Sequence, residues 1–386
     1  MIAHAGVIIN TGSRDEKENE HGMAHFVEHM LFKGTTRRKT YHILSSLEDR
    51  GGELNAYTTK EETAIYGSFL KHDYKKAFDI ISDIIFNSTF PEKEITKEKE
   101  VIAEEINSYR DTPSELIFDD FEEMIYGGAS IGRNILGSED SLKNFNRSMI
   151  HKFISNNYDP REMVVCSVGN IREKQLIRLF EKYFGNIESQ YIERERTGFT
   201  SYKPLHKTIN KNTWQDHCIL GNMAYNVRDK KRLAMFLLNN ILGGQGLNSR
   251  LNLSMREKNG FAYNVESNYI PYCDSGVFMI YFGTDKKNRE KSIAITLREL
   301  KRLRESSLGK TQLEKAKNQI KGNIARGREN HENLMLAMGK NILLFDTMES
   351  TETLYGKIDR LTSSNLLEIA NEVFPEQMLS SLIYTQ

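Results

Sequence analysis

The sequence predicts an α+β protein made of two structurally homologous domains, each an antiparallel-rich sheet packed on helices. Three observations carry this prediction. The chain has 386 residues, of which 39% are hydrophobic, and this exceeds one usual core and is enough to build two. Short segments with strand-like alternation are interspersed with longer segments that have helical spacing. The two halves also align with each other at an offset of roughly 205 to 216 residues.

The internal repeat is clearest around one apolar segment in each half. The segment MAHFVEHMLF at 23–32 aligns with LAMFLLNNIL at 233–242, and both keep the same apolar pattern. Two more pairs follow, NAYTTKEETAIYGSF with FAYNVESNYIPYCDSGVF, and YDPREMVVCSVG with FPEQMLSSLIYTQ. Three polar residues of the first segment are exchanged in the second, where the chain has Met235, Leu238 and Asn239. The repeat therefore predicts two domains of similar fold and different chemistry.

Local patterns predict the individual elements of each half. Strands are expected in the first half at Ala5–Thr11, Leu54–Thr59, Thr63–Leu70 and Met163–Gly169. Helices are expected there at Gly22–Phe32, Tyr41–Arg50, Tyr74–Asn87 and Ile95–Arg110. In the second half the strands are expected at His217–Ala224, Ala262–Tyr269 and Gly276–Thr284. The helices there are expected at Lys230–Leu242, Lys291–Glu305 and, as one long helix, Thr311–Leu344.

A polar segment between the halves predicts the domain boundary. Residues Ile187–Asn212 are charged and only weakly periodic, as a linker between domains would be. We place the boundary near Ser201. This gives a first domain at residues 1–200 and a second, homologous domain at residues 201–386.

Composition excludes several classes of partner. The 53 basic and 53 acidic residues balance, so no excess of positive charge attracts the chain to nucleic acid or to anionic lipid, and no membrane span is predicted. The cysteines Cys166, Cys218 and Cys273 are odd in number, well separated and in mostly apolar settings. They are predicted to be reduced core thiols, which favours a cytoplasmic location.

The five residues from His25 to His29 read His-Phe-Val-Glu-His, the inverted order of the familiar zinc-protease signature. On a helix the two histidines are one turn apart and share a face, and Glu28 lies on the flank of that face. With 10 His and 53 acidic residues in the chain, chance predicts about 0.04 such motifs. Two core histidines hydrogen-bonded to Glu28 would also explain the pattern. A divalent metal would satisfy all three groups, and a metal site is the preferred interpretation.

A catalytic zinc site usually has three protein ligands and one water, so a carboxylate ligand is expected as well. The segment Glu98–Arg110 predicts a helix on which Glu98 and Glu105 fall in the apolar stripe, whereas Glu104 fits a solvated position. Glu105 is the preferred ligand. Glu98 is predicted either to orient a histidine or to form a plain salt bridge. Glu28 is predicted to be the general base, because it would lie beside the metal without binding it.

With these residues the sequence resembles the pitrilysin-like (inverzincin, M16) metallopeptidases, which include insulin-degrading enzyme and the mitochondrial processing peptidase. That family has its third ligand, a Glu, roughly seventy to eighty residues beyond the second His, and here Glu105 follows His29 by 76 residues. Further motifs that resemble the family cover nearly the whole chain: GSRDE at Gly12–Glu16, FKGT at Phe32–Thr35, GGELNAYTTKEET at Gly51–Thr63, ILGSED at Ile135–Asp140 and SRLNLSMREKNGFAYNVES at Ser249–Ser267.

The resemblance implies a zinc-dependent endopeptidase with one Zn²⁺ per chain, bound by His25, His29 and Glu105, that hydrolyses unfolded peptides. It implies that an extended peptide adds by backbone hydrogen bonds to one edge strand. The residues of that strand are Asn55, Ala56, Tyr57 and Thr58, with Asn55 as the expected polar contact. Arg256 and Tyr263 match residues that family members direct from the inactive domain towards the substrate and the oxyanion. Without the resemblance, these residues would be interpreted as an ordinary edge strand and an isolated Arg and Tyr.

The resemblance also bears on assembly. One chain corresponds to half of a four-domain clamshell, so a homodimer or a heterodimer with an inactive paralogue is expected. Two alternatives stay open. The chain could be a non-catalytic scaffold or regulatory subunit of the same family, although such subunits lose ligands and this chain keeps them. A zinc-dependent hydrolase of a non-peptide substrate would also need the metal motif, but would have no use for the peptide-binding strand.

Overall fold

The computed structural model describes residues 2–189, 196, 198–199 and 201–386. The chain divides into two compact units, each of which combines segments from both halves of the sequence. The first unit consists of Met1–Ser108, Arg133–Arg196 and Arg326–Met348. The second unit consists of Tyr109–Gly132, Thr197–Ala325 and Glu349–Gln386. The separation of a catalytic from an inactive domain at residue 200 stays a prediction.

The strands are β1 Ile2–Ile9, β2 Glu53–Thr58, β3 Thr63–Leu70, β4 Met163–Val168, β5 His206–Asn210, β6 Asp216–Met223, β7 Ala262–Pro271, β8 Gly276–Thr284 and β9 Ser380–Thr385. The α-helices are α1 Met23–Leu31, α2 Thr40–Glu48, α3 Tyr74–Phe86, α4 Glu92–Arg110, α5 Pro113–Tyr126, α6 Glu139–Asn144, α7 Arg147–Asn157, α8 Glu173–Phe184, α9 Arg232–Gly243, α10 Arg289–Glu305, α11 Lys310–Glu329, α12 His331–Phe345, α13 Thr351–Asp359 and α14 Ser363–Val373.

The first unit contains an antiparallel sheet of four strands in the order β2-β3-β1-β4. Alternate residues of β1 point to opposite faces, as the period of a strand requires. One face packs on α1, α2, α3, α4 and α7 in a single buried apolar cluster. The other face is covered by α12, which lies against β1 and β4. This approach is close at Gly339, where a Cβ would lie 2.7 Å from Ile8 Cδ1 and 2.9 Å from Cys166 Sγ.

The second unit contains five strands in the order β5-β9-β6-β8-β7. Read from β7, the first four strands repeat the order of the first sheet, since β6 corresponds to β1, β7 to β2, β8 to β3 and β9 to β4. The added strand β5 pairs in parallel with β9. One face packs on α9, α10 and α14, and the other on α5, where Gly221 gives room for the buried Phe121 ring. The predicted class, α+β with two similar domains, is therefore confirmed.

The predicted elements agree with the structure within three residues at each end, with two corrections. The prediction of one long helix at Thr311–Leu344 is wrong. The helix is interrupted at Asn330, and the segment forms two helices, α11 and α12. Asn330 leaves the helical region (ψ 107°), and its side chain accepts the N–H of Asn333 as an N-cap. The segment Ile187–Asn212 is not wholly irregular, because it contains β5; its residues 190–195, 197 and 200, like Met1, lie outside the described residues.

None of the three cysteines, all of which lie in the described part of the chain, takes part in a disulfide bond. Burial raises the pKa of the Cys166 and Cys218 thiols to about 12, so both are protonated at neutral pH and are poor nucleophiles. Cys218 is buried, whereas Cys166 and Cys273 are half-buried, so the predicted core setting holds for Cys218. The redox state and the compartment stay predictions. Among the described residues, no helix has both the length and the apolar character that crossing a bilayer requires.

Candidate metal centre

Helix α1 carries three of the predicted site residues. Its six apolar side chains are fully buried, namely those of Met23, Ala24, Phe26, Val27, Met30 and Leu31. A short helix of this kind is stable because of its packing rather than its intrinsic propensity. The remaining stripe holds His25 and His29, whose ring centroids are 4.6 Å apart. The i, i+4 spacing therefore places the two imidazoles side by side, as predicted.

Glu105, on α4, faces both histidines. Its Oε1 lies 3.8 Å from His25 Nε2, and its Oε2 lies 3.7 Å from His29 Nε2. One ligand atom from each of these three residues lies within 4.8 Å of the other two. The structure thus brings together the three residues that were predicted as ligands. The expectation that Glu105 would be buried is wrong, because its side chain is 43% exposed.

The second acid of α4 lies behind the histidines. Glu98 is buried, and its Oε1 accepts a hydrogen bond of 2.9 Å from His29 Nδ1. Its Oε2 forms an ion pair of 2.7 Å with Lys33 Nζ. Both predicted alternatives for Glu98 are therefore present at once. The hydrogen bond to Glu98 occupies Nδ1 of His29, so Nε2 is the ring nitrogen that faces Glu105.

The charges of the site follow from this burial and pairing. Burial, with a smaller contribution from His29, lowers the pKa of His25 to about 3, so its imidazole is neutral, which is the form that binds a metal. Burial alone would raise the pKa of Glu98, but the hydrogen bonds from His29 and Lys33 outweigh it and leave this pKa below its usual value. Glu98 is thus a permanent anion next to His29.

Glu28 lies beside the ligand cluster, and the Thr58 side chain of β2 is close to its carboxylate. Burial raises the pKa of Glu28, and Glu105 acts in the same direction, while Thr58 and His29 oppose the shift. The sequence prediction assigned Thr58 to substrate binding and did not foresee this contact, which depends on the pairing of α1 with β2.

Strand β2 forms one edge of the first sheet, and no other described strand pairs with its outer side. Its side chains alternate, so Ala56 and Thr58 face α1, whereas Asn55 and Tyr57 face the opposite side of the sheet. The hydroxyl of Tyr57 donates a hydrogen bond of 3.0 Å to Glu62. The predicted polar contact Asn55 is therefore not on the face that carries Glu28.

Two further polar contacts near α1 were not predicted. Glu16 is buried in the loop after β1 and accepts backbone hydrogen bonds of 2.8 Å from Gly22 and from Ala24. Burial raises the pKa of Glu16 well above its usual value, and these two N–H donors oppose that shift. Arg196 binds the neighbouring Asp15 through two hydrogen bonds of 2.8 and 2.7 Å and also donates to the carbonyl of Glu61. The available sequence signal for Glu16 was an acidic residue six positions before Gly22, the glycine that directly precedes α1.

Arg256 and Tyr263 belong to the second unit. Arg256 lies in a short π-helix, Asn252–Glu257, and Tyr263 lies at the start of β7. The guanidinium carbon of Arg256 is 5.3 Å from the centre of the Tyr263 ring, and the Tyr263 side chain is 84% exposed. The structure therefore brings this predicted pair together, with the phenol available to a ligand.

The repeat has no second metal centre at the equivalent place. In α9 the counterparts of His25 and Glu28 are Met235 and Leu238, and both are fully buried in the second core. These side chains offer packing and no charged ligand. At these positions the second unit therefore has buried apolar side chains in place of an imidazole and a carboxylate.

The donor set fits a zinc ion. Two imidazole nitrogens and one carboxylate form the His₂Glu combination of catalytic zinc sites, and ligands about 2.0–2.2 Å from a tetrahedral ion are themselves roughly 3.4 Å apart. The measured 3.7 and 3.8 Å separations are close to this value. Nδ1 of His25 is buried without a hydrogen-bond partner, so no hydrogen bond fixes the ring through this atom. A metal bound to Nε2 would help to hold the ring in place.

Two protein-family models match consecutive parts of the chain. The model of the insulinase family, peptidase family M16, matches residues 1–139, and that of the peptidase M16 inactive domain matches residues 144–320. An uncharacterized zinc protease, YmxG, of Bacillus subtilis is 34% identical over 381 residues, which are 98% of this chain and 92% of that protein. An uncharacterized zinc protease of Rickettsia bellii is 34% identical over 379 residues, 98% and 91% of the two chains.

Solved structures share the fold. A protease from Helicobacter pylori superposes with a TM-score of 0.90 at 20% identity, covering 100% of this chain and 94% of its own. A peptidase M16 inactive-domain protein from Pseudomonas fluorescens also gives a TM-score of 0.90, at 18% identity, covering 99% and 92%. At these identities the likeness establishes the fold, while the relationship rests on the sequence matches.

Proposed function

Because this chain belongs to peptidase family M16, we propose that it is a zinc-dependent endopeptidase that hydrolyses unfolded peptides and holds one zinc ion per chain. The single observation that carries the proposal is the convergence of His25, His29 and Glu105 beside Glu28. The names of its relatives in Bacillus subtilis and Rickettsia bellii, both uncharacterized zinc proteases, support zinc and proteolysis without naming a substrate.

The chemistry requires a metal and a base. When bound, a zinc ion lowers the pKa of a coordinated water towards 7 and polarises the scissile carbonyl. Glu28 takes the proton of the attacking water and later delivers it to the leaving amine, which balances the hydrolysis. The raised pKa of Glu28 suits this double role, because a general base is most effective when its pKa approaches the working pH.

The substrate is proposed from β2. Its outer edge offers unpaired backbone groups, and an extended peptide can add there as a further strand, which requires an unfolded chain. Because Asn55 and Tyr57 face away from Glu28, we assign recognition at this edge to the backbone and to Ala56 and Thr58. For Arg256 and Tyr263 we propose contact with the substrate or its oxyanion.

A quenched peptide library, assayed with and without a chelator, tests this function. We expect cleavage that a chelator abolishes and zinc restores. Glu28→Gln is the matched control, since it keeps the shape of the side chain and cannot accept the proton. A wild-type protein that binds zinc and cleaves no peptide would instead support the scaffold or regulatory role. Turnover of small non-peptide esters without peptide cleavage would support the alternative of a zinc-dependent hydrolase that acts on a non-peptide substrate.

For assembly we propose a homodimer, or a heterodimer with an inactive paralogue, that closes a chamber around the peptide. Light scattering measures the particle mass directly. A strictly monomeric particle that cleaves peptides at full rate would contradict the chamber. Rapid cleavage inside rigid folded domains would contradict it as well, because a closed chamber excludes large folded proteins.

A further inference from the structure

The first turn of α1 is held by a carboxylate from outside the helix. Helix N-termini leave backbone N–H groups without intrahelical partners. In α1, the N–H of Gly22 donates to Glu16 Oε2 and the N–H of Ala24 donates to Glu16 Oε1, both at 2.8 Å. Glu16 is only 4% exposed, so its two oxygens are committed to these donors. One side chain thus caps two N–H groups.

The helix cannot provide this cap itself. Its N-cap residue, Gly22, has a φ of +91°, and a Cβ there would lie 2.8 Å from both Gly137 Cα and the carbonyl oxygen of Leu136. A Ser, Thr, Asp or Asn, the usual N-caps, would be strained and would collide with this neighbouring backbone. The close approach of two glycines therefore excludes a local cap, and Glu16 fills the role from six residues upstream.

The capped turn is the one that presents a ligand. His25 is the third residue of α1, directly after Ala24, whereas His29 lies one turn further and is held separately by Glu98. A helix of nine residues is too short to keep its first turn without external support. Loss of the cap would therefore loosen His25 and leave His29 in place.

We propose that Glu16 is a positioning residue that fixes His25 for the metal by capping the first turn of α1. The inference rests on the proposed function only in that the bound metal is zinc. Glu16 contacts neither the ligand atoms nor a substrate, and it acts through the backbone of Gly22 and Ala24. An amide in its place can accept one of the two hydrogen bonds, because its NH₂ group is a donor. Alanine can accept neither.

The test measures metal binding in the intact chain. Zinc affinity is determined by competition with a chromophoric chelator for wild type, Glu16→Gln and Glu16→Ala. We expect a loss on the order of tenfold for the amide and on the order of 100-fold for alanine, the range found when partners that orient ligands are removed. Glu122→Gln is the matched control: it is equally buried, at 4%, accepts from the Tyr272 hydroxyl and lies in the second unit. Its zinc affinity should equal that of wild type.

Cobalt substitution distinguishes positioning from general destabilisation. When water replaces an imidazole and the coordination number rises, the visible absorption of Co²⁺ weakens. We expect this change in Glu16→Gln and a wild-type spectrum in Glu122→Gln, even where both variants lose similar thermal stability. Zinc affinity and a cobalt spectrum unchanged in both Glu16 variants would overturn the proposal. A wild-type protein that binds no zinc would instead overturn the proposed function.

Hydrogen exchange covers the case in which the Glu16 variants do not fold. In the zinc-free wild-type protein, the amides of Gly22 and Ala24 should exchange as slowly as those in the middle of α1. Exchange of these two amides at the rate of exposed loop amides would show that the cap is absent and would overturn the proposal.

Discussion

Replacement of Glu98 by Gln separates the charge behind His29 from its shape. In the wild-type protein, Glu98 accepts 2.9 Å from His29 Nδ1 and pairs at 2.7 Å with Lys33, and its side chain is 5% exposed. A Gln can still accept from Nδ1, but its NH₂ group then faces the ammonium of Lys33. The substitution therefore keeps the ring orientation and removes the negative charge.

Two magnitudes follow. Loss of a carboxylate partner of a ligating histidine lowers metal affinity about 10–100-fold, or about 1.4–2.8 kcal/mol. Loss of a charge-assisted hydrogen bond to the half-buried Lys33 destabilises the metal-free protein by about 1.5–3 kcal/mol. For a unit of this size that lowers Tm by about 3–12 °C.

The assay compares zinc affinity and the Tm of the metal-free protein in wild type, Glu98→Gln and Glu104→Gln. Glu104 lies on the same helix, is exposed and serves as the control, with an expected change within about 0.5 kcal/mol. A Glu98→Gln protein with reduced Tm and wild-type zinc affinity would show that Glu98 is a salt-bridge partner alone, and would refute its role behind His29.

Three further predictions follow. Alanine at His25, His29 or Glu105 should abolish stoichiometric zinc binding in metal analysis; full zinc and activity in the Glu105 variant would mean a wrong ligand assignment. Glu28→Gln should keep zinc while peptide turnover falls about 10²–10⁴-fold in a fluorescence assay, and retained turnover would exclude the base role. Hydrogen bonds from Thr35, Arg38 and Arg37 outweigh burial and lower the pKa of Asp83. Because this folded-state pKa is depressed, Asp83 stabilises the metal-free protein above its unfolded pKa of about 3.9, and this contribution is lost as pH falls further. The excess stability of wild type over Asp83→Asn in urea unfolding should therefore shrink below that pH, and a constant difference would contradict the assignment.

The sequence was sufficient for features that depend on short-range spacing. The i, i+4 histidines and the i, i+7 glutamates of α4 could be placed because helical geometry fixes which residues share a face. It also suggested Glu105 over Glu98 as the ligand, and the structure places Glu105 against both Nε2 atoms. The break at Asn330 was missed because a single capping residue, with no proline beside it, separates two helices that follow each other directly.

Features that depend on tertiary packing could not be derived in this way. The cap from Glu16 arises only when the loop after β1 folds over a helix whose N-cap must be glycine. The proximity of Thr58 to Glu28 requires β2 to lie against α1. Likewise, the periodicity of α12 shows an apolar helix, but not which sheet it covers. Each of these contacts joins residues whose separation in sequence carries no pattern.

The placement of α12 has a consequence for biosynthesis. This helix covers β1 and β4, yet its first residue, His331, follows the last residue of β4, Val168, by 163 residues. At about 5–20 residues per second, roughly ten to thirty seconds separate the synthesis of Ser189 from that of Phe345. Ser189 lies near the end of the second segment of the first unit, and Phe345 is the last residue of α12. During this interval the nascent chain already contains every proposed zinc ligand, but Ile8 and Cys166 lack the helix that covers them. Completion of the first unit is thus delayed until α12 has been synthesised, which leaves an apolar sheet face for chaperones to shield.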